Sequence, residues 1–141
     1  MWHRTYSKVY PGVKKETIWS LWEDVNKWGK WDPDIEYAKM TEPFQVGSNF
    51  IFKPKGAGEV TLQLVEVEKF KKFTDHLKFF GAKLYGTHEM EETPEGLKMT
   101  ITLRVSGPLT FIWVKLVAQG IVDTIPEQMD SLMKFAESGN E

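Results

Sequence analysis

The sequence contains no cysteine. Disulfides, thiolate nucleophiles and zinc or iron–sulfur centres held by cysteine are therefore excluded. Histidine is almost as scarce, with only His3, His76 and His88, and no HxxH or HExxH spacing, so no metal site is expected. Charge of one sign is also lacking. The 18 Lys and Arg nearly balance the 20 Asp and Glu, and a net charge of -2 predicts no electrostatic hold on nucleic acid or an anionic membrane. There is no uninterrupted hydrophobic run of membrane length, because residues 111–125 are broken by Lys115, Gln119 and Asp123. The start, Met1-Trp2-His3-Arg4, lacks the apolar core of a signal peptide, so a cytoplasmic protein without integral membrane association is expected. Lys55-Gly56-Ala57-Gly58 lacks the ending of a phosphate loop, and no serine nucleophile elbow occurs. No cofactor is implied.

What is abundant is flat apolar surface. Six Trp and nine Phe must be housed in 141 residues, a length that fits one domain over 1–141 with a single core. The longest pattern lies in the last third. Lys115, Gln119, Asp123, Glu127, Asp130, Lys134 and Glu137 recur in steps of three and four, which predicts one helix over residues 108–137. At about 1.5 Å per residue it is roughly 44 Å long. Pro126 falls inside the stripe, predicting a kink and not an end. The part before it, with Trp113, Val117, Gly120, Ile121 and Thr124, is expected to line a cavity. The part after it, with Met129, Leu132, Phe135 and Ala136, is expected to be ordinary core.

Upstream, residues 2–10 read as a strand ending at the turn Pro11-Gly12. Ile18, Leu21, Trp22 and Val25 then sit at helical spacing, with Trp19 off that stripe and free to cover an edge or an opening. Residues 26–31 form a further helical turn or a loop before Asp32-Pro33. Six strands follow, over 35–40, 49–53, 60–68, 73–80, 83–92 and 97–105. The turn Thr93-Pro94-Glu95-Gly96 pairs Met90 with Met99, His88 with Ile101, Gly86 with Leu103 and Leu84 with Val105. The turn near Phe80-Gly81-Ala82 is read as pairing Phe79 with Leu84, Leu77 with Gly86, Asp75 with His88 and Phe73 with Met90. Both turns put Phe73, Leu77, Phe79, Leu84, Met90, Met99, Ile101, Leu103 and Val105 on one apolar face. Thr74, His76, Lys78, Tyr85, Thr87 and Arg104 take the wet face. The expectation is an α+β fold, a curved six- to seven-stranded antiparallel sheet wrapped around the long C-terminal helix, with two short helices after the first strand. Gly86 and Gly120, which supply no side chain, favour a cavity between sheet and helix.

This arrangement resembles the helix-grip fold of the START/Bet v 1-like (SRPBCC) superfamily, in its polyketide cyclase/dehydrase and lipid-transport branch. The resemblance is carried by Val13-x4-Ile18-Trp19-x2-Trp22-x-Asp24, running on to Trp28-x2-Trp31-Asp32-Pro33. Val46-Gly47-Ser48-x-Phe50 and the ending Val117-Ala118-x-Gly120-x5-Pro126-x5-Leu132-x2-Phe135-Ala136-Glu137 complete it. It implies a hydrophobic ligand (a lipid, quinone, polyketide or aromatic molecule) held between sheet and helix. It implies no shared catalytic set.

Candidate chemistry is sparse. Asp75 and His88, on the apolar face, are candidates for a general acid/base pair or a polar anchor, the bland alternative being rim groups in water. Glu66 joins the interior only if a bulge shifts its strand, and a solvated Glu66 is favoured. Thr124 and Gln128 are placed to bond a ligand or a loop. Ligand contacts are expected from Trp28, Trp31, Phe50, Phe52, Leu77, His88, Met90, Met99, Ile101, Trp113, Val117, Gly120, Ile121 and Thr124. Three functions remain open: a carrier of a small hydrophobic molecule, a cyclase- or dehydratase-type enzyme using Asp75 and His88, and a protein-interaction module with a filled core. An exposed Trp19 or Trp2 patch would favour the third.

Overall fold

The structure, a computed structural model, describes residues 1–138. Seven strands form one antiparallel sheet in the order β1-β7-β6-β5-β4-β3-β2. They are β1 (Trp2–Tyr10), β2 (Ile35–Lys39), β3 (Asn49–Pro54), β4 (Val60–Glu68), β5 (Lys72–Phe79), β6 (Ala82–Thr93) and β7 (Gly96–Ser106). Between β1 and β2 lie α1 (Lys15–Glu23) and a 3-10 turn (Val25–Lys30). After β7 come α2 (Thr110–Trp113), a π segment (Val114–Ala118) and α3 (Gln119–Glu137). The expected α+β helix-grip architecture is present, with the helical run starting at Thr110 instead of Pro108.

The front of the molecule is built from tryptophans. Pro11 and Gly12, the latter at φ 73°, turn the chain out of β1 into α1. Ile18, Leu21 and Trp22 turn inward as one stripe, and Trp19 is buried beside them at 1% exposure. Its neighbours explain why it covers no opening: Trp22, Phe44 and Phe70 meet it edge-on at about 6 Å, and its Nε1 donates to Glu23 at 3.1 Å. The 3-10 turn is fastened from within, since Trp28 Nε1 donates to the Trp22 carbonyl at 3.0 Å.

The hairpin β6–β7 has the register expected from its turn, Met90 opposite Met99 through Leu84 opposite Val105. The hairpin β5–β6 does not. Its turn is the tight pair Phe80-Gly81, with Gly81 at φ 74°, so Phe79 pairs with Ala82, Leu77 with Leu84, Asp75 with Gly86 and Phe73 with His88. The slip is two residues, so every side chain keeps its expected face. Thr74 stays on the outer face but is buried, covered by Glu66 and Thr87, whose oxygens lie 3.3 and 2.9 Å from its hydroxyl.

A bulge between Leu64 and Glu66 bends β4. It leaves Leu64 inward and Glu66 outward, where it pairs with Lys72 at 3.2 Å. Across the concave face runs α3, burying Ile125, Met129, Leu132 and Met133 and continuing through Pro126. The upstream turns are anchored differently. Trp113 stacks on Phe79 at 4.3 Å and donates from Nε1 to the Phe80 carbonyl at 2.8 Å. That leaves Phe80, Phe111 and Leu116 in solvent at 84%, 72% and 68% exposure, so the apolar face expected of the long helix is not wholly covered.

Candidate ligand cavity

A cavity of about 380 Å³ lies between the concave sheet face and the helical run. The sheet contributes Leu62, Phe73, Asp75, Leu77, Phe79, Leu84, Gly86, His88, Met99, Ile101 and Leu103. Trp22, Trp28, Trp31 and Asp32 close the front, and Val117, Ile121, Thr124, Ile125, Gln128, Met129 and Leu132 roof it. Ala57, Gly58 and Glu59, in the exposed loop between β3 and β4, border the side open to solvent, as does the partly exposed Ile121. The void exists because the bent sheet curls away from the helical run faster than side chains can fill the gap.

Of the residues expected at a ligand, Trp28, Trp31, Phe52, Leu77, His88, Met99, Ile101, Val117, Ile121 and Thr124 are part of this wall. Phe50 and Met90 are instead packed in the core, and Trp113 is turned onto Phe79. Gly120 is exposed, with nothing within 4 Å of where a Cβ would stand, so it makes no room in the cavity. The expected division of the helix at Pro126 is also corrected. Gln128, Met129 and Leu132, beyond the proline, line the cavity as Val117 and Ile121 do before it. Thr124 donates to the Ile121 carbonyl at 2.8 Å, and Gln128 to Asp32 at 3.0 Å.

Asp32 was not singled out by the sequence reading, although an acid between Trp31 and Pro33 is a signal. It is buried, receives the Asp34 amide at 2.9 Å, and burial raises its pKa. Glu59 and Leu103 also escaped notice. Leu103 sat on the correct face, and only the curvature of the sheet tells wall from filler.

Asp75 and His88 are the titratable groups deep in the cavity. They are not directly opposite; Gly86 faces Asp75 across the strands. Yet both approach one point. A Cβ built on Gly86 would lie 3.2 Å from Asp75 Oδ1 and 3.8 Å from His88 Cε1. Burial alone pushes Asp75 up to about 7 and His88 down to about 4, so the imidazole is neutral at physiological pH. His88 is stacked on Phe73 at 4.4 Å, meets Trp22 edge-on at 5.9 Å, and its Nδ1 is buried without a partner. Among the described residues no cluster of acids and histidines could hold a metal ion, and no helix is long and apolar enough to cross a membrane.

No protein-family model and no curated protein sequence matches the chain. Solved structures do. A hypothetical protein from Helicobacter pylori has a TM-score of 0.76 at 14% identity, over 95% of this chain and 87% of that one. A START superfamily protein from Mycobacterium smegmatis has a TM-score of 0.64 at 14% identity, over 90% and 92%. The di-domain ARO/CYC StfQ of the steffimycin biosynthetic pathway has a TM-score of 0.77 at 12% identity, over 96% of this chain and 50% of StfQ. At such identities these likenesses speak for the fold. Strand order, helical roof and neighbours together give this chain the START/Bet v 1-like helix-grip fold.

Proposed function

We propose that the chain, as one ligand-binding domain over 1–141, binds and carries a small hydrophobic molecule in this cytoplasmic cavity. One observation carries the reading: about 380 Å³ of space enclosed mainly by aromatic and aliphatic side chains, opening beside a Gly-containing loop. That volume lies within the range of small-molecule sites. Water entering such a space gives up hydrogen bonds that so apolar a wall does not return, whereas a lipid, quinone, polyketide or aromatic molecule does not. The test is native mass spectrometry of protein purified from cells, followed by solvent extraction. A co-purifying apolar compound displaced by Ile101→Trp is the expected result. Protein that takes up no compound from an extract of its own cells would overturn the reading.

A second reading, cyclase- or dehydratase-type catalysis, is favoured by Asp75, a carboxyl in the cavity wall whose pKa, raised by desolvation to about 7, suits proton transfer near neutral pH. The ARO/CYC description of StfQ belongs to that protein and supports only the class of substrate to try first. Turnover of a polyketide-like substrate that disappears in Asp75→Asn would favour this reading over simple carriage. The interaction-module reading loses its motive, because Trp19 is buried and Trp2 is partly covered, with the Arg4 guanidinium 5.0 Å from its ring centre.

A further inference from the structure

In a wall that is otherwise mostly apolar, Asp75 and His88 converge on a single vacancy. The vacancy is made by Gly86, whose absent side chain leaves the space 3.2 Å from Asp75 Oδ1 and 3.8 Å from His88 Cε1. Among the described residues neither side chain has a hydrogen-bond or ion-pair partner, and His88 Nδ1 is fully enclosed. An enclosed polar atom without a partner is costly, and a ligand group that reaches this corner of the cavity can supply one. Leu77, Leu84 and Leu103 around them provide no polar atom beyond the strands' own backbone, which the β5–β6–β7 ladder already uses.

We infer that the cavity selects hydrophobic molecules bearing one hydroxyl group, an alcohol or phenol, seated over Gly86 between Asp75 and His88. This rests on the cavity being the ligand site and specifies the ligand's chemical class. A hydroxyl both donates and accepts through one oxygen. It can donate to Asp75 when the carboxyl is ionised and accept from it when protonated, and it can pair with a neutral imidazole in either role. An ammonium group donates only and fits just the ionised carboxyl. A carboxylate ligand would set one anion against another in a desolvated space, and is rejected.

The test uses three probes of one shape, 2-naphthol, naphthalene and 2-naphthoate, in equilibrium dialysis against the full chain at pH 7. Wild type is expected to hold 2-naphthol about tenfold more tightly than naphthalene, about 1.4 kcal/mol, and 2-naphthoate weakest. Gly86→Ala, whose methyl occupies the vacancy, is expected to erase the preference for 2-naphthol over naphthalene. Asp75→Leu, checked for folding by circular dichroism, is a second route to the same loss. Equal binding of 2-naphthol and naphthalene to wild type, or strongest binding of 2-naphthoate, would overturn the inference and leave the carrier reading standing. A preference that survives both substitutions would overturn it as well. Failure of all three probes to bind would overturn the inference together with the carrier reading.

Discussion

Gln128 Nε2 donates to Asp32 Oδ2 at 3.0 Å, tying α3 to the turn that follows the 3-10 segment. Asp32 is buried, and its other oxygen takes the Asp34 amide at 2.9 Å. Ser131 adds a second tie nearby, its hydroxyl donating to the Trp31 carbonyl. Gln128→Leu keeps the volume but removes one of two bonds that offset Asp32's desolvation. The expected loss is about 1–3 kcal/mol in urea unfolding. A loss below about 0.5 kcal/mol, the range of ordinary surface changes, would show that this bond does not hold helix to turn.

Asp75 and His88 pull the pH dependence of stability in opposite directions. Asp75 rises from 3.8 to about 7 on folding, so the folded state binds this proton more tightly, and its contribution is lost as pH climbs through that window. His88 falls from 6.5 to about 4, so its contribution is lost as pH drops through 6.5 toward about 4. Between about pH 4 and 6.5 the two nearly cancel. Asp75→Asn should therefore lose stability on acidification across that interval, and His88→Gln should lose it as pH rises from about 4 to 7. Each slope is expected to approach about 1.4 kcal/mol per pH unit. Urea midpoints that track wild type at every pH would refute the opposition.

Gly96 and Gly12 both have positive φ, at 144° and 73°, but their surroundings differ. A Cβ on Gly96 would stand 2.5 Å from the Tyr10 carbonyl oxygen and 2.8 Å from Pro11 Cα, whereas one on Gly12 meets nothing within 4 Å. Gly12→Ala is expected to cost about 1–2 kcal/mol of backbone strain. Gly96→Ala must also push β7 away from the end of β1, and is expected to cost about 3 kcal/mol or more. Thermal unfolding of the two variants compares them directly, and equal losses would be the contrary result.

Pro126 sits inside α3 without ending it. It has no amide to give the Val122 carbonyl, and its ring crowds that oxygen. Pro126→Ala is expected to stabilise the protein by about 1–3 kcal/mol and to slow amide exchange across residues 119–130. A variant less stable than wild type would mean that packing of the half-buried ring outweighs the missing bond.

The outcome at each hairpin shows what could be read in advance. Pro94 and Glu95 admit one tight turn, and that turn set the register of β6 and β7. The turn near Phe80-Gly81-Ala82 permits a two-residue loop or, two residues further on, a four-residue one between Phe79 and Leu84, and the sequence reading took the longer. The error was harmless for faces, because strand side chains alternate with period two, but it put His88 opposite Asp75 in place of Gly86. The cavity was harder. Met90 and Met99 are cross-strand neighbours on one face, yet only Met99 reaches the void. That difference comes from where the sheet curls off the helix, a long-range property that no local pattern encodes. Trp19 escaped for a related reason. A helical stripe was too narrow a description once Phe44 and Phe70 arrived from distant segments to bury it.

The π segment Val114–Ala118 is a matter of counting. Trp113 is pinned to the sheet's end through Phe79 and Phe80, while Ile125 and Met129 are pinned in the core. The chain between those pins carries one residue too many for an uninterrupted α-helix, and the wide turn absorbs it. The surplus rotates everything upstream by about 100° relative to α3. That phase shift turns Phe111, upstream of the wide turn, toward water although it continues an apolar sequence, and Leu116 is exposed within the wide turn itself. Length variation in this region is consequently asymmetric. Deleting one residue from 114–118 restores the α-helical count, whereas inserting one adds a second surplus residue to a turn that is already wide.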